Sequence, residues 1–445
     1  MATVRNPSQG PSQEPSQRPS QRLKPGAERV VAVVDVGSSK VAALIAISDG
    51  IDNPRVIGAG VRASNGMKRG FVADMAKTED AIRAAMGQAE KSAGVAIESV
   101  VVSMSAGGLE SEVASVEIDI AGQRIAESDM AALLAAGRER IDETISRAGR
   151  SILHAEPALY TIDGQDGITN PRGFHADRLA VDIHVLTAAT PPCRNLDIAV
   201  RNAHLNVESI VASGVAASAS VLGDEERELG VALVEIGAGV TTIAVHGGGM
   251  LVALASIPMG AGDITADIAA SFGTRRAAAE RLKTLSGAAI SAPRDNHEML
   301  EVPPLVDDGQ ESRRISRAEL IAVIAARLDR LFAEVEAALQ SIGFTGAAGR
   351  QLVLTGGGAE LRGIADHAQG VLGRNVRVGR PHGLAALPDA QSTAAFATLA
   401  GLALYAGRPR FDLARMPLRA GRGGNADAEP RSAFFRLLKQ LKRQI

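Results

Sequence analysis

The amino-acid sequence predicts an α/β protein made of two related lobes. Strands that read as buried alternate with amphipathic helices along most of the chain. One strand–turn–strand segment occurs twice, since Ala32–Val41 and Ala232–Thr241 align residue for residue. The 445 residues also exceed what one ordinary hydrophobic core holds. An apolar share of 46% excludes wholesale disorder, and a formal charge of −2 gives no global pull toward nucleic acid. Aromatic residues are 2% with no tryptophan, which removes the stacking platforms of a single-strand binder, so no nucleic-acid partner is expected. The lone Cys193 and the scattered histidines exclude a disulfide scaffold and a zinc module. No apolar run is long enough to cross a bilayer, and the opening MATVRNPSQG has no secretory h-region. A cytosolic protein is expected.

Residues 1–28 come first. Pro7, Pro11, Pro15 and Pro19 each open a Pro-Ser-Gln-x tetrad with no apolar face, so this stretch reads as a disordered tail. Strands follow at Val30–Val34, Val41–Ile47, Ser99–Ser103, Ala180–Leu186, Val231–Ile236, Thr241–Val245 and Gln351–Leu354. Helices are predicted at Thr78–Ala93, Ser128–Ala136, Asp197–Ala203 and Arg317–Ile342. The last repeats apolar residues at Leu320, Val323, Ile324, Leu328, Leu331, Val335 and Leu339. Residues 291–313 are polar and proline-bearing and read as an exposed insertion. Residues 408–430 form a Gly/Pro/Arg-rich linker.

The duplicated segment carries chemistry. Each copy ends its first strand on an acid, Asp35 or Glu235, and turns through a glycine, Gly37 or Gly237. Small residues follow, Ser38 and Ser39 in one copy, Ala238 and Gly239 in the other. A side-chain-poor turn lets backbone N–H groups approach a polyphosphate. Ser38, Ser39 and Thr241 can add hydroxyls, and Lys40 a point charge, where the second copy has Val240. Asp35 and Glu235 would hold Mg²⁺ through water, since that ion keeps much of its hydration shell. Two such turns face to face would clamp one nucleotide. Further on, Gly356, Gly357 and Gly358 follow a strand and would let a base and ribose lie against the backbone.

In this order the three elements resemble the actin/Hsp70/sugar-kinase ATPase superfamily. Ala279-Glu280-x-x-Lys283 is similar to its AExxK helix, which implies that Glu280 and Lys283 contact adenosine. Residues 153–186 (LHAEPALYTIDGQDGITNPRGFHADRLAVDIHVL) and 211–236 (VASGVAASASVLGDEERELGVALVEI) narrow the resemblance to the FtsA family of bacterial cell-division proteins. The similarity runs from about Val30 to Tyr405 and resumes in the last helix. It implies a two-lobed actin-like fold with duplicated RNase H-like cores and a subdomain called 1C in place of actin IB. Residues 29–104 and 186–213 would form subdomain IA, 105–185 subdomain 1C, 214–258 and 326–407 subdomain IIA, and 259–325 subdomain IIB.

The family resemblance also implies a role. Such a protein binds ATP with Mg²⁺, anchors FtsZ filaments to the cytoplasmic face of the inner membrane at the division septum, self-associates into actin-like filaments and recruits other divisome proteins through 1C. The FtsZ C-terminal tail is expected on IIB, with Arg317 reading an acidic peptide and Arg313 and Arg314 as competitors. Glu235, Ala238 and Val240 depart from the family's Asp-x-Gly-Gly-Gly-Thr-Thr turn, which favours binding over hydrolysis; no catalytic base can be named from the sequence. The alternatives are a pilus-assembly actin homologue and a small-molecule kinase of the same superfamily.

Residues 431–445 read as an amphipathic membrane-targeting helix. At helical spacing Phe434, Leu437, Leu438, Leu441 and Ile445 share one side with Phe435 at its edge, while Arg436, Lys439 and Arg443 take the other. With no acid in the segment, an anionic membrane surface is its expected partner.

Overall fold

The computed structural model describes residues 28–105, 108–306, 312–345, 351–408 and 412–415. Two five-stranded sheets share one topology. In the first, Arg55–Ala63, Lys40–Ser48 and Arg29–Val36 run antiparallel, and Ser99–Met104 and Asn206–Ala212 add in parallel. In the second, Met250–Ile257, Thr241–Gly247 and Val231–Ile236 run antiparallel, and Gln351–Thr355 and Asn375–Val378 add in parallel. The repeated segment is the central hairpin of each sheet, with Val36 opposite Val41 and Ile236 opposite Thr241. Both of its strands are covered on both faces, so Val33, Val34, Leu44 and Ile45 are fully buried. That is why they read as continuous apolar runs rather than alternating ones.

A third sheet interrupts the first lobe. Its order is Glu110–Asp119, Arg178–Ala189, Arg150–Ile162, Gln165–Ile168, with the helix Glu127–Arg147 against one face. Leu133, Ile141, Leu179 and Ile183 give it a core of its own. The helix extends well past the predicted Ala136. Gly137, inside the helix, sits where a Cβ would meet Ile183 Cδ1 at 2.4 Å, so glycine here serves close packing. The helix predicted from Asp197 begins earlier, at Thr190, because prolines are tolerated in a first turn that lacks hydrogen-bond acceptors anyway.

The helix Arg317–Ile342 spans the predicted residues. Ser316 Oγ accepts from the Glu319 amide at 3.2 Å while the Glu319 carboxylate accepts from the Ser316 amide at 2.7 Å, and Gly343 ends the helix at φ 86°. Residues 291–313 are not simply an exposed insertion. Met299–Val302 pairs antiparallel with Arg313–Ser316, burying Val302 and Asp295. The polar composition hid the one buried apolar residue on each strand, Val302 and Ile315, that anchors the pair.

Two helices join the lobes. Ser213–Val221 and Ala397–Gly407 touch backbone to backbone, since a Cβ on Gly401 would lie 1.7 Å from the Ala216 carbonyl oxygen. Leu399, Leu402 and Tyr405 then cover Val31, Val33 and Leu44 of the first sheet. Among the described residues no helix is long and apolar enough to cross a membrane. The predicted linker is not free throughout: Leu413 is fully buried in the core of the third sheet and Asp412 accepts from Ala155 N at 2.9 Å, because this short stretch carries an apolar residue and an acid that the inserted sheet takes up. The Pro-Ser-Gln tail up to residue 27 lies outside the described residues, as do residues 409–411 and 416–430. So do Phe434, Phe435, Leu437, Leu438, Leu441 and Ile445 of the amphipathic segment.

Candidate functional site

The two glycine turns close in the same way. Gly37 N donates to the Lys40 carbonyl at 3.0 Å and Gly237 N to the Val240 carbonyl at 2.9 Å. Both turns open into one cleft of about 300 Å³ between the lobes. Among the described residues no acceptor takes the amides of Ser38, Ser39, Ala238 or Gly239. Ser38 Oγ accepts from Gly70 N at 2.9 Å, which leaves its proton for the cleft. The result is a small nest of unspent donors, the arrangement that suits a multiply charged anion.

Asp35 and Glu235 both line this cleft, and the charge of Asp35 is felt at Glu235. Burial raises the Asp35 carboxyl above its usual range, opposed by the 2.6 Å hydrogen bond from Ser103 Oγ and by Lys40. Burial pushes Glu235 up to about 7, opposed by the hydroxyls of Thr398, whose Oγ1 donates to its Oε1, and of Ser213, and by Lys40. Its other oxygen, Oε2, is buried and accepts no hydrogen bond. An orphan carboxylate oxygen of this kind is costly unless something cationic or hydrated shares its space. Lys40 does not point freely at the cleft. Its Nζ donates to the Ala395 carbonyl at 2.5 Å and sits 4.1 Å from the Phe396 ring centroid. Burial lowers its pKa, opposed by Asp35, Glu235 and Glu360.

On the opposite wall Glu280 and Lys283 form a 2.8 Å ion pair, and Lys283 Nζ also reaches Thr265 Oγ1 at 2.9 Å. The three glycines divide their work. Gly356 has φ 84°, and a Cβ there would lie 2.6 Å from the Ile236 carbonyl oxygen. A Cβ on Gly358 would lie 2.3 Å from Ile236 Cγ2. These two let the turn pack on the strand Val231–Ile236. Only Gly357 faces space, with Ala395 Cβ 3.9 Å from an added Cβ.

Two expected site residues are placed elsewhere. Thr241 is fully buried and its hydroxyl donates to the Met259 carbonyl at 2.9 Å, so it is no phosphate donor; its neighbour Thr242 lines the cleft instead. Arg317 is not an exposed reader of acidic peptides. Its guanidinium is buried, 2.7 Å from Asp295 and 3.4 Å from Glu298, and also donates to the Ser286 carbonyl. The short helical turn Pro293–Asn296 and the residue before the hairpin's first strand supply those acids. Arg313 and Arg314, on the same strand, are exposed. The sequence reading missed Ser103 and Thr398. Each is a hydroxyl buried near the end or start of a largely apolar element, and a polar residue inside such a run is the signal that could have found them.

The residues present fit a polyphosphate with a hydrated divalent cation. The turn amides suit the anion, the orphaned Glu235 Oε2 suits the cation's water, and a Cβ on Gly239 would close the gap between the turns.

Comparison with known proteins agrees with this geometry. A family model described as cell division protein FtsA matches residues 232–401, and one described as the SHS2 domain inserted in FTSA matches residues 106–187. The cell division protein FtsA of Rhizobium meliloti is 37% identical over 399 residues, covering 86% of this chain and 89% of that one. Among solved structures, a PilM–PilN type IV pilus biogenesis complex superposes with a TM-score of 0.60 at 18% identity, covering 85% of this chain and 99% of that one. MreB5 of Spiroplasma citri bound to ADP gives 0.51 at 13% identity, covering 85% and 96%. The duplicated sheets, the cleft between them and the inserted third sheet define a two-lobed actin-like protein with an inserted subdomain. Within that class sequence identity decides the branch. The chain belongs to the FtsA family of cell-division proteins.

Proposed function

We propose that this protein binds Mg-ATP between its lobes and tethers FtsZ filaments to the cytoplasmic face of the inner membrane at the septum. The observation that carries the nucleotide half is the pair of identically closed glycine turns facing one cleft, with Glu235 Oε2 unspent between them. In this reading the amides and hydroxyls of Ser38 and Ser39, with Gly237, Ala238 and Gly239 opposite, hold the phosphates. Asp35 and Glu235 orient the waters of Mg²⁺, which neutralises phosphate charge when bound. Glu280 and Lys283 meet the ribose and base, and Gly357 leaves the base room to lie flat. Ala238 and Val240 occupy positions where hydrolysing relatives would offer glycine and a hydroxyl, so the nucleotide acts as a folding and assembly ligand more than as fuel.

The membrane half rests on residues 431–445, whose apolar side would bury several kcal/mol gross of surface, with about 1 kcal/mol per basic residue near anionic lipid. The FtsZ tail would be read on residues 259–325 by exposed Arg313 and Arg314, because Arg317 is already neutralised by Asp295. Self-association and contacts of the inserted subdomain with other division proteins complete the proposal.

Co-sedimentation with anionic liposomes, with FtsZ present or absent, tests it. The full chain should carry FtsZ into the lipid pellet, and a chain lacking residues 432–445 should carry none while melting at the same temperature. Lipid binding that persists without the segment, or FtsZ left in the supernatant, would refute the tether.

A further inference from the structure

A tight turn joins the short paired strands Met67–Lys68 and Phe71–Val72 at the phosphate end of the cleft. Both corner residues have positive φ, 50° at Arg69 and 78° at Gly70. Asparagine or glycine is the usual choice at the first corner of such a turn. An arginine there is held against its backbone preference, and such positions persist only where the surroundings over-determine them.

The surroundings come from both lobes. Gly70 N donates to Ser38 Oγ at 2.9 Å, tying the turn to the first phosphate hairpin. The second hairpin presses on it too, since a Cβ on Gly239 would lie 2.9 Å from Arg69 Cα. The Arg69 side chain then reaches from the first lobe to the second. Its Nη2 lies 3.0 Å from Asp263 Oδ1, and its Nη1 donates to the Pro258 carbonyl. Asp263 Oδ2 accepts from Gly260 N at 2.9 Å, at the start of the helix Ala261–Phe272. The amides of Ala261 and Gly262 donate to the carbonyls of Gly237 and Ala238 at 2.8 and 2.7 Å. One run of bonds therefore leads from the first glycine turn through Arg69 and Asp263 to the second.

We propose that Arg69 is an interlobe strap, a positioning residue that fixes the spacing of the two phosphate-binding turns and slows nucleotide escape. The second half of this proposal rests on the reading of the cleft as a nucleotide site; the first does not. The pair is solvent-exposed on the Arg69 side, so removing it should leave global stability nearly untouched. Its effect belongs to lobe geometry.

The test uses the full chain with spin labels on Ile198→Cys and Leu285→Cys, exposed residues on helices of opposite lobes, the native Cys193 being buried. Without nucleotide, pulsed electron paramagnetic resonance should give one narrow distance for the parent. Arg69→Ala should broaden and lengthen it, Asp263→Asn should do the same while keeping the helix cap, and Arg69→Lys should restore most of it. A fluorescent ATP analogue should leave Arg69→Ala about fivefold faster, the equivalent of one exposed ion pair. Unchanged distances in Arg69→Ala overturn the strap, as does an early-melting Arg69→Ala that Arg69→Lys does not rescue. Altered distances with unchanged analogue release overturn its role in retention. Altered distances in a protein that never binds the analogue uphold the strap and refute the nucleotide reading.

Discussion

Lys40 Nζ donates to the carbonyl of Ala395 at 2.5 Å, so the cation of the first glycine turn is anchored to the short turn Ala394–Phe396, which packs beside Gly357. The ammonium is therefore placed by the same segment that, in the proposed reading, would border the adenosine. Removing it should disturb both ends of the ligand. Lys40→Ala combined with Gly357→Asp should lower Mg-ATP affinity below detection in calorimetry. Gly357 faces space, so the aspartate needs no rearrangement of the protein, and the melting temperature should stay within about 5 °C of the parent. Unchanged affinity would show that the ligand lies elsewhere.

Glu235 should make the ligand-free protein less stable as pH rises. Its carboxyl titrates near 7 in the folded state against an ordinary 4.5, so between these values the folded chain binds more protons than the unfolded one. The full cost, about 3 kcal/mol, is then present above pH 7 and absent below 4.5. Glu235→Gln should be the more stable protein in urea at pH 8 and should show a flatter profile. Millimolar Mg²⁺ should stabilise the parent more than the variant.

His184 should act in the opposite direction. Burial lowers it to about 4 from 6.5, so the unfolded chain takes up a proton that the folded one refuses. Stability is complete above pH 6.5 and declines by about 3 kcal/mol as pH falls toward 4. His184→Gln, which can keep a hydrogen bond to Ser111, should lose less over that interval. Denaturation midpoints at pH 7 and pH 4.5 for both proteins measure the difference. Equal losses would remove His184 as the cause.

Gly401→Ala should be costly despite the conservative size. Its Cβ would sit 1.7 Å from the Ala216 carbonyl oxygen, backbone that cannot rotate away. The two interlobe helices must then separate, at about 2 to 3 kcal/mol. Chemical denaturation checks this, and a variant as stable as the parent would mean the helices slide at no cost.

The duplicated core was legible because buried central strands write themselves as unbroken apolar runs, and a turn that must approach a ligand is stripped of side chains. Asp35, Gly37, Glu235 and Gly357 were found on that basis, and the structure brings them into one cleft. Residues whose environment is made by distant sequence were not legible. Arg317 looks like an exposed helix start, yet Asp295, folded back across twenty-two positions, buries and neutralises it. Thr241 looks like a donor to ligand, yet the Met259 carbonyl claims it. Arg69 carries no motif at all; only the approach of Pro258 and Asp263 gives it a role.

The helix Ala397–Gly407 covers a sheet whose first strand begins at Arg29, and this sets a schedule for biosynthesis. Emerging from the ribosome, Val31, Val33 and Leu44 must wait for Leu399, Leu402 and Tyr405 before their final cover exists. Contacts of such sequence separation form slowly and leave apolar surface open meanwhile. A message broken before codon 397 would yield a product with a permanently bare flank, recognisable to chaperones and proteases. Synthesis through Tyr405 is thus written into the packing, and any shorter fragment leaves the first sheet's flank uncovered.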